Sequence, residues 1–191
     1  MRCRHDAFKF GPHYGRSVAM PPRAPRIERP PPPPLDAAAL RNLALRYVGR
    51  YATSAAKLQR YLGRKLWERG WGGDGAAPVE ALIAQFVDQG YVDDRSFGEA
   101  RARGLAGKGF GARRVGQDLQ AAGLARDLAS EIGATVDGRA AAERFAQRRR
   151  FGPWDAHGFD PERYRKQIAA MLRAGHDFAI ARAVLRGTAE E

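Results

Sequence analysis

Three short stretches decide the fold: Leu66-Trp-Glu-Arg-Gly70, Leu119-Gln-Ala-Ala-Gly123 and Met171-Leu-Arg-Ala-Gly175. Each has an apolar residue four positions before a glycine, which is typical of an amphipathic helix that ends at the glycine. The three glycines are 53 and 52 residues apart. A period near 50 residues indicates tandem units that stack, because a unit of this size cannot bury its apolar face alone.

The same helix order surrounds each stretch. Capping residues precede the first and second helices of each unit: Asp36 and Ser54, then Asp93 or Asp94 and Gly111, then Asp137 and Asp160-Pro161. A third helix with regularly spaced apolar residues completes each unit. We therefore predict an all-α protein with three tandem three-helix repeats, similar to helix-turn-helix units, over 36–92, 93–136 and 137–187. These repeats should form an elongated, curved body.

Residues 1–35 have a different composition, with scattered arginines and the run Pro30 to Pro34. Polyproline favours an extended backbone with few amide donors. We expect a disordered basic tail that ends in a stiff spacer, or alternatively a polyproline ligand for a partner. Met20 lies where a second start codon could fall.

The net charge limits the kinds of partner that the protein is expected to bind, and the cysteine content indicates the cellular compartment. The chain has 33 Lys+Arg against 21 Asp+Glu, a formal net charge of +12, and one cysteine, Cys3. The charge favours nucleic acid, an anionic membrane surface or an acidic protein, unless it only reflects an arginine-rich proteome. One cysteine excludes an internal disulfide and fits a reducing compartment. With no long apolar run and no secretory signal, we expect a cytoplasmic protein without a membrane partner.

Two motifs in the middle repeat carry a resemblance to a known family. The segment Gly90-Tyr-Val-Asp-Asp-Arg-Ser-Phe-Gly98 resembles the signature of the RecX family, and Lys108-Gly-Phe-Gly-Ala-Arg-Arg-Val115 resembles its second-repeat pattern. Tyr47, Ser54, Leu58 and 62–66 match the first-repeat helix pair. The resemblance spans 38–187. The third repeat departs from the family pattern at Arg173-Ala-Gly-His176, where the family usually has an aromatic residue after the glycine.

The RecX resemblance implies both a fold and a partner. It implies three tandem three-helix repeats that lie along the groove of a RecA–single-stranded-DNA filament and bridge neighbouring RecA protomers. Such binding would inhibit the recombinase, ATPase and co-protease activities of RecA in DNA repair and the SOS response. Single-stranded DNA would be contacted directly or within the filament, and a monomer is the expected state.

No catalytic centre is expected. Asp93-Asp94 could be an acid/base or metal pair, but a helix cap with a favourable charge explains it better. The four histidines are isolated from other ligand types, and no phosphate-binding GxxxxGK[ST] loop is present. We therefore predict a non-enzymatic protein without catalytic, metal-binding or cofactor-binding residues and without a cofactor.

Basic clusters are the candidate binding residues. The predicted contacts to partner or nucleic acid are Arg101, Arg103, Lys108, Arg113, Arg114, Arg148, Arg149 and Arg150. Gly107, Gly109 and Gly111 would let the backbone approach an anion or a protein surface closely. The alternative is that these cations lie on solvated helix faces. A third cluster, Arg60, Arg64 and Lys65, is explained by helix solvation.

The aromatic residues divide into core and loop groups. Six lie at apolar helix positions and are expected in the core: Tyr47, Tyr61, Phe86, Phe97, Phe145 and Tyr164. Phe178 is grouped with the apolar residues of the last helix. Trp71 and Trp154 fall in loops, where they could make exposed contacts or pack over a core edge.

Three alternative functions stay open at this point. One is a helix-turn-helix-like regulator that binds duplex DNA without RecA. Another is a nuclease or hydrolase that uses Asp93-Asp94. The last is a protein that coats nucleic acid through charge alone.

Overall fold

The computed structural model describes residues 32–187. The predictions for the tail therefore lie outside the described residues as far as position 31, and so does Met20. Within 32–187 the chain forms nine α-helices: α1 (Ala37–Arg50), α2 (Ala55–Arg69), α3 (Val79–Asp88), α4 (Asp94–Gly107), α5 (Ala112–Ala121), α6 (Arg126–Ala134), α7 (Gly138–Arg149), α8 (Pro161–Arg173) and α9 (Phe178–Arg186). The only extended pairing in this range is an isolated parallel bridge between Leu35 and Trp71. The all-α fold of three tandem three-helix units is confirmed.

The helix starts follow the predicted capping residues. The side chains of Asp36, Ser54, Asp137 and Asp160 each accept a hydrogen bond from the backbone N–H three residues later. At the fourth helix Asp93, rather than Asp94, is the cap and accepts from the Ser96 N–H at 3.0 Å. These bonds satisfy amide donors that an α-helix leaves free in its first turn.

Each three-helix unit has its own apolar core. Leu40, Leu58, Leu62 and Phe86 are fully buried in the first unit. Val115, Leu119 and Ile132 are buried in the second, and Met171, Val184 and Leu185 in the third. Because the three buried clusters follow the three helix triplets, we propose 36–92, 93–136 and 137–187 as the repeat boundaries.

The aromatic side chains follow the prediction. All six of the predicted core aromatics lie in or against a buried cluster. Phe178 belongs to α9, as expected, but it is 54% exposed and lies outside the third cluster. The reason is its position: Phe178 is the first residue of α9, while Ala181, Val184 and Leu185 face the core. Trp71 packs against the first cluster.

The first and second units meet where α2 begins and α5 ends. The Ser54 Oγ donates to the Ala122 carbonyl at 2.8 Å, and the Ala55 N–H donates to the Asp94 carboxylate at 2.8 Å. Gly123 has a φ of +97°, and a Cβ there would lie 2.3 Å from the Ala56 Cβ. The glycine after α5 therefore lets the start of α2 approach closely.

The second and third units meet in the same way, where α5 begins and α8 ends. The Gly111 N–H donates to the Ala174 carbonyl at 3.0 Å. Gly175 has a φ of +91°, and a Cβ there would lie 2.4 Å from the Arg114 backbone nitrogen. The two repeat junctions thus use equivalent elements: the start of one unit's second helix packs on the glycine that ends the next unit's second helix.

The outer ends of this series differ from the junctions. Gly70 ends α2, but no atom outside its immediate neighbours lies within 4 Å of a Cβ built there. Instead, Leu35 pairs beside it, donating its N–H to the Gly70 carbonyl at 2.9 Å. At the other end of the series, α8 begins with Pro161 after the Asp160 cap. None of the helices in 32–187 is both long enough and apolar enough to cross a membrane.

Candidate polyanion interface

One member of the first predicted basic cluster, Lys108, meets the Arg148–Arg150 cluster on one side of the second junction. Lys108, from the turn after α4, lines a depression of about 310 Å³ together with Phe110, Phe145, Arg148 and Arg149. The Arg148 Nη1 donates to the Lys108 carbonyl at 2.8 Å, which fixes the end of α7 against that turn. Residues about 40 positions apart in the sequence therefore form one basic depression.

A second basic depression adjoins the first through Arg149. This depression, of about 440 Å³, is lined by residues of α7, the following loop and α8, including Arg149, Arg150, Arg163 and Lys166. We name the six cations of the two depressions the basic strip: Lys108, Arg148, Arg149, Arg150, Arg163 and Lys166. Within the described chain, Arg149 and Arg150 make no ion pair, and the Arg149 guanidinium lies over the Phe145 ring, 5.5 Å from its centroid.

Few anionic groups oppose the basic strip. Asp155 is the one carboxylate among the residues lining the second depression, and its Oδ1 lies 3.9 Å from the Arg163 Nη1. The hydrogen bond from the His157 backbone N–H, with help from Arg163, lowers the pKa of Asp155. Lys166 pairs with Glu162 at 2.7 Å, but both side chains are largely exposed, so solvent screens this pair. The strip therefore keeps a positive excess suited to a polyanion.

Arg150 has a backbone conformation that is rare for its residue type. It ends α7 in the left-handed region with a φ of +56°, and it is the only non-glycine residue with positive φ in 32–187. Glycine occupies the corresponding position after α5 and α8. A side chain in this region costs about 1 kcal/mol relative to glycine. The Arg150 side chain makes no hydrogen bond or ion pair in the described chain that offsets that cost, which is consistent with a binding role.

Four of the eight predicted binding residues lie away from the strip or are engaged elsewhere. Arg101 forms a bidentate ion pair with Asp118. Arg103 lines a separate depression with Arg95 and Glu131. The Arg113 Nη2 donates to the Leu172 carbonyl at 2.6 Å, and the Arg114 backbone contacts Gly175. The structure thus brings together Lys108, Arg148, Arg149 and Arg150 and separates them from Arg101 and Arg103.

The glycines of the turn after α4 have an internal role. A Cβ at Gly109 would lie 2.8 Å from the Phe145 backbone nitrogen, and one at Gly111 would lie 2.4 Å from the Gly175 carbonyl oxygen. The close approach that these glycines allow is therefore to the third repeat of the same chain. Gly107 has open space at the Cβ position. The Arg144 Nε donates to the Ala106 carbonyl at 3.3 Å and adds a further contact at this turn.

A buried histidine lies behind the first depression. His176 is 3% exposed, its Nε2 donates to the Gly109 carbonyl at 3.0 Å, and its ring lies edge-on to Phe145. Its Nδ1 is buried without a hydrogen-bond partner in the described chain. Burial lowers the pKa of His176, because the charged form would lose its hydration. His176 thus packs where the RecX pattern leads us to expect an aromatic residue.

Sequence reasoning missed two cations and one aromatic residue. Arg163 and Lys166 lie three positions apart on α8, so their shared face could have been found from helical spacing. Trp67 is 87% exposed; its position next to Leu66, off the Leu58–Leu62–Leu66 stripe, was the available signal.

Comparison with known proteins gives a consistent result. No family model matches the chain. The regulatory protein RecX of Myxococcus xanthus is 32% identical over 156 residues, which cover 76% of this chain and 83% of that protein. The chain belongs to the RecX family. The regulatory protein RecX of Agrobacterium fabrum is 31% identical over 155 residues, covering 79% of this chain and 84% of that protein.

A solved RecX structure shares the fold. The crystal structure of RecX from Lactobacillus salivarius superimposes with a TM-score of 0.66 at 14% sequence identity, covering 79% of this chain and 95% of that one. At this identity the match concerns the fold alone. Both curated relatives are named regulatory proteins.

Proposed function

We propose that the protein regulates RecA by binding the RecA–single-stranded-DNA filament and inhibits its recombinase, ATPase and co-protease activities. Membership of the RecX family is the observation that carries this proposal. The protein acts as a non-enzymatic regulator, as a monomer in the cytoplasm, in DNA repair and the SOS response.

The basic strip supplies a surface that suits this partner. Lys108, Arg148 and Arg149 lie around one depression, and Arg149 continues into the next with Arg150 and Arg163. A filament presents the same acidic and phosphate groups at regular intervals. Several modest contacts along such a repetitive partner give high avidity without a catalytic centre, and their electrostatic part weakens with added salt.

The test is a titration of RecA's single-stranded-DNA-stimulated ATP hydrolysis with the protein. We expect inhibition at protein amounts well below one molecule per RecA, as for a ligand that acts on a filament. No effect at equimolar protein, with DNA binding intact, would contradict the proposal. Tight, sequence-selective duplex binding without RecA would instead support the helix-turn-helix-like regulator.

A charge-reversal pair tests the basic strip. Arg149→Glu with Arg150→Glu should weaken inhibition of RecA and reduce its dependence on salt, because two cations become anions in the centre of the strip. The control outside both depressions is Arg126→Glu, at the start of α6, which reverses one charge rather than two and is therefore compared with Arg149→Glu alone as well as with the pair. Equal inhibition by the pair and the control would remove the strip from the proposed interface.

A further inference from the structure

The outward face of α2 carries the most exposed large apolar side chain in the described residues. Trp67 is 87% exposed, while Phe159 reaches 79% and the remaining examples 54% or less. Trp67 belongs to no buried cluster, no repeat junction and no part of the basic strip. An exposed indole of this kind offers a large flat surface to a partner.

The glycine one turn before Trp67 leaves that indole uncovered. Gly63 lies inside α2, where glycine weakens a helix, yet no atom lies within 4 Å of a Cβ built there. Side chains on a helix lean toward its N-terminus, so positions 63 and 64 are the ones from which a side chain could cover the Trp67 indole. Packing within the protein therefore does not require a glycine at position 63. A partner that approaches the Trp67 indole does benefit from one, because no side chain at 63 stands in its way.

The helix that carries this indole is basic, and Arg64 lies three positions before Trp67 on the same side of α2. The helix carries five cations against one carboxylate, Glu68: Lys57, Arg60, Arg64, Lys65 and Arg69. The Arg64 side chain is 63% exposed and lies 3.6 Å from Glu68, which the Lys65 Nζ approaches more closely at 2.6 Å. Glu68 therefore cannot neutralise both cations, and a positive excess stays beside the ring.

We propose that the Trp67 indole stacks on an unpaired base of single-stranded nucleic acid, with the Arg64 guanidinium at the adjoining phosphate. An exposed aromatic ring beside cations is the combination that binds single strands, because every base has a stacking face. Arg64 beside the ring adds a cation for the phosphate that follows a stacked base, so the pair matches both parts of a nucleotide. The inference deepens the proposed function by adding a direct nucleic-acid contact in the first repeat.

The test measures binding of an oligothymidylate to the full chain without RecA, by fluorescence anisotropy of the labelled oligonucleotide. Trp67→Ala should weaken binding about tenfold, the loss of one stacked base, while Trp67→Phe should keep most of the affinity. The slope of log K against log salt should be unchanged in Trp67→Ala, since no charge is lost. Arg64→Gln should lower that slope by roughly one or less.

Two further variants separate stacking from stability. Gly63→Leu places a side chain beside the indole and should weaken binding, although it favours the helix. Trp154→Ala, which removes a tryptophan from the third repeat, is the matched control and should bind like the wild type. Wild-type affinity in Trp67→Ala would overturn the inference, whatever the result for Gly63→Leu.

The outcomes also distinguish this inference from the proposed function. If Trp67→Ala binds the oligonucleotide normally but the wild-type chain inhibits RecA, the inference fails and the proposed function stands. If the wild type leaves RecA unaffected while oligonucleotide binding depends on Trp67, the inference stands and the proposed function fails. Trp67→Ala could instead lose binding to DNA-free RecA while it binds the oligonucleotide normally. That result would assign the outward face of α2 to a protein partner and overturn the inference.

Discussion

The two repeat junctions use equivalent elements but different chemical groups. At the first, a side chain makes the contact: the Ser54 hydroxyl donates to the carbonyl before Gly123. At the second, the Gly111 backbone N–H donates to the carbonyl before Gly175. An arginine of the earlier unit supports each, with Arg60 donating to Ala122 at 3.3 Å and Arg113 to Leu172 at 2.6 Å.

This difference shows what the repeat preserves. The approach of a helix start to a glycine is the same at both junctions, while the hydrogen-bond donor changes. The second junction also recruits Arg144 and Arg148, which donate to backbone carbonyls of the turn after α4. Cations near the second junction therefore serve the fold as well as any partner, so their substitution has two effects that must be measured separately.

The largest expected effect tests the glycine contact itself. Gly175→Ala should lower the free energy of unfolding by about 3–5 kcal/mol, because the methyl group overlaps the Arg114 backbone and φ is positive. Gly123→Ala should cost about 2–4 kcal/mol for the same reasons. Urea unfolding measures both.

Gly70→Ala is the matched control. Its φ of +78° and ψ of 169° lie in a region that essentially only glycine occupies, but the space around it is open, so we expect a loss of about 1–3 kcal/mol from backbone strain alone. Equal losses at positions 70, 123 and 175 would show that backbone conformation, rather than contact between repeats, sets the cost.

A smaller loss of stability is expected when the side-chain hydrogen-bond donor of the first junction is removed. Ser54→Ala should cost about 2 kcal/mol, since it removes a helix cap and a buried hydrogen bond to the next repeat. Asp36→Ala, which removes an exposed cap alone, should cost about 1 kcal/mol. If the two variants lose the same stability in chemical denaturation, the contact between Ser54 and Ala122 contributes little.

The buried histidine makes the second junction sensitive to acid, and we expect an effect smaller than that of Ser54→Ala. His176 titrates below the ordinary histidine pKa in the folded chain, so the unfolded chain binds its proton first. Unfolding free energy should fall as pH drops from about 6.5 through the lowered folded-state pKa. Unfolding curves of His176→Phe should depend less on pH over this range. Identical pH profiles would remove His176 as the cause.

The smallest expected change is a gain in stability near the second junction. Arg150→Gly should raise the free energy of unfolding by about 0.5–1 kcal/mol, because glycine accepts a positive φ without a steric cost. The same variant should bind polyanions more weakly. A thermal melt and a salt-dependent binding titration measure the two effects, and Arg149→Gly, within the helix, should lose stability instead. A loss of stability in Arg150→Gly would argue against backbone strain at this position.

Local signals predicted most of the fold. Asp36, Ser54, Asp137 and Asp160 have the short polar side chains that cap helices, and glycines mark the helix ends, so the three units could be read from the sequence. Asp94 is different, because its partner is the Ala55 N–H in another repeat. A contact 39 residues away leaves no local pattern.

The candidate interface was less predictable, because the presence of a charged residue in the sequence does not indicate where its side chain points. Arg101 and Arg103 are two positions apart on α4 and so face different sides, one toward Asp118 and the other toward Glu131. Arg113 resembles any exposed cation in the sequence, yet it binds a carbonyl of the third repeat. Lys108 and Arg148 come together because the second and third repeats pack against each other. The sequence period indicates that the repeats pack, but it does not indicate which residues face each other.

The proline that begins α8 removes one hydrogen-bond donor from the outer end of the series. At the first junction, the amide hydrogen of Ala55, the first residue of α2, is donated to the next repeat. Pro161 is the first residue of α8 and has no amide hydrogen. The start of α8 therefore cannot offer the contact that Ala55 makes, much as a proline on an edge strand cannot offer a ladder hydrogen bond to another strand.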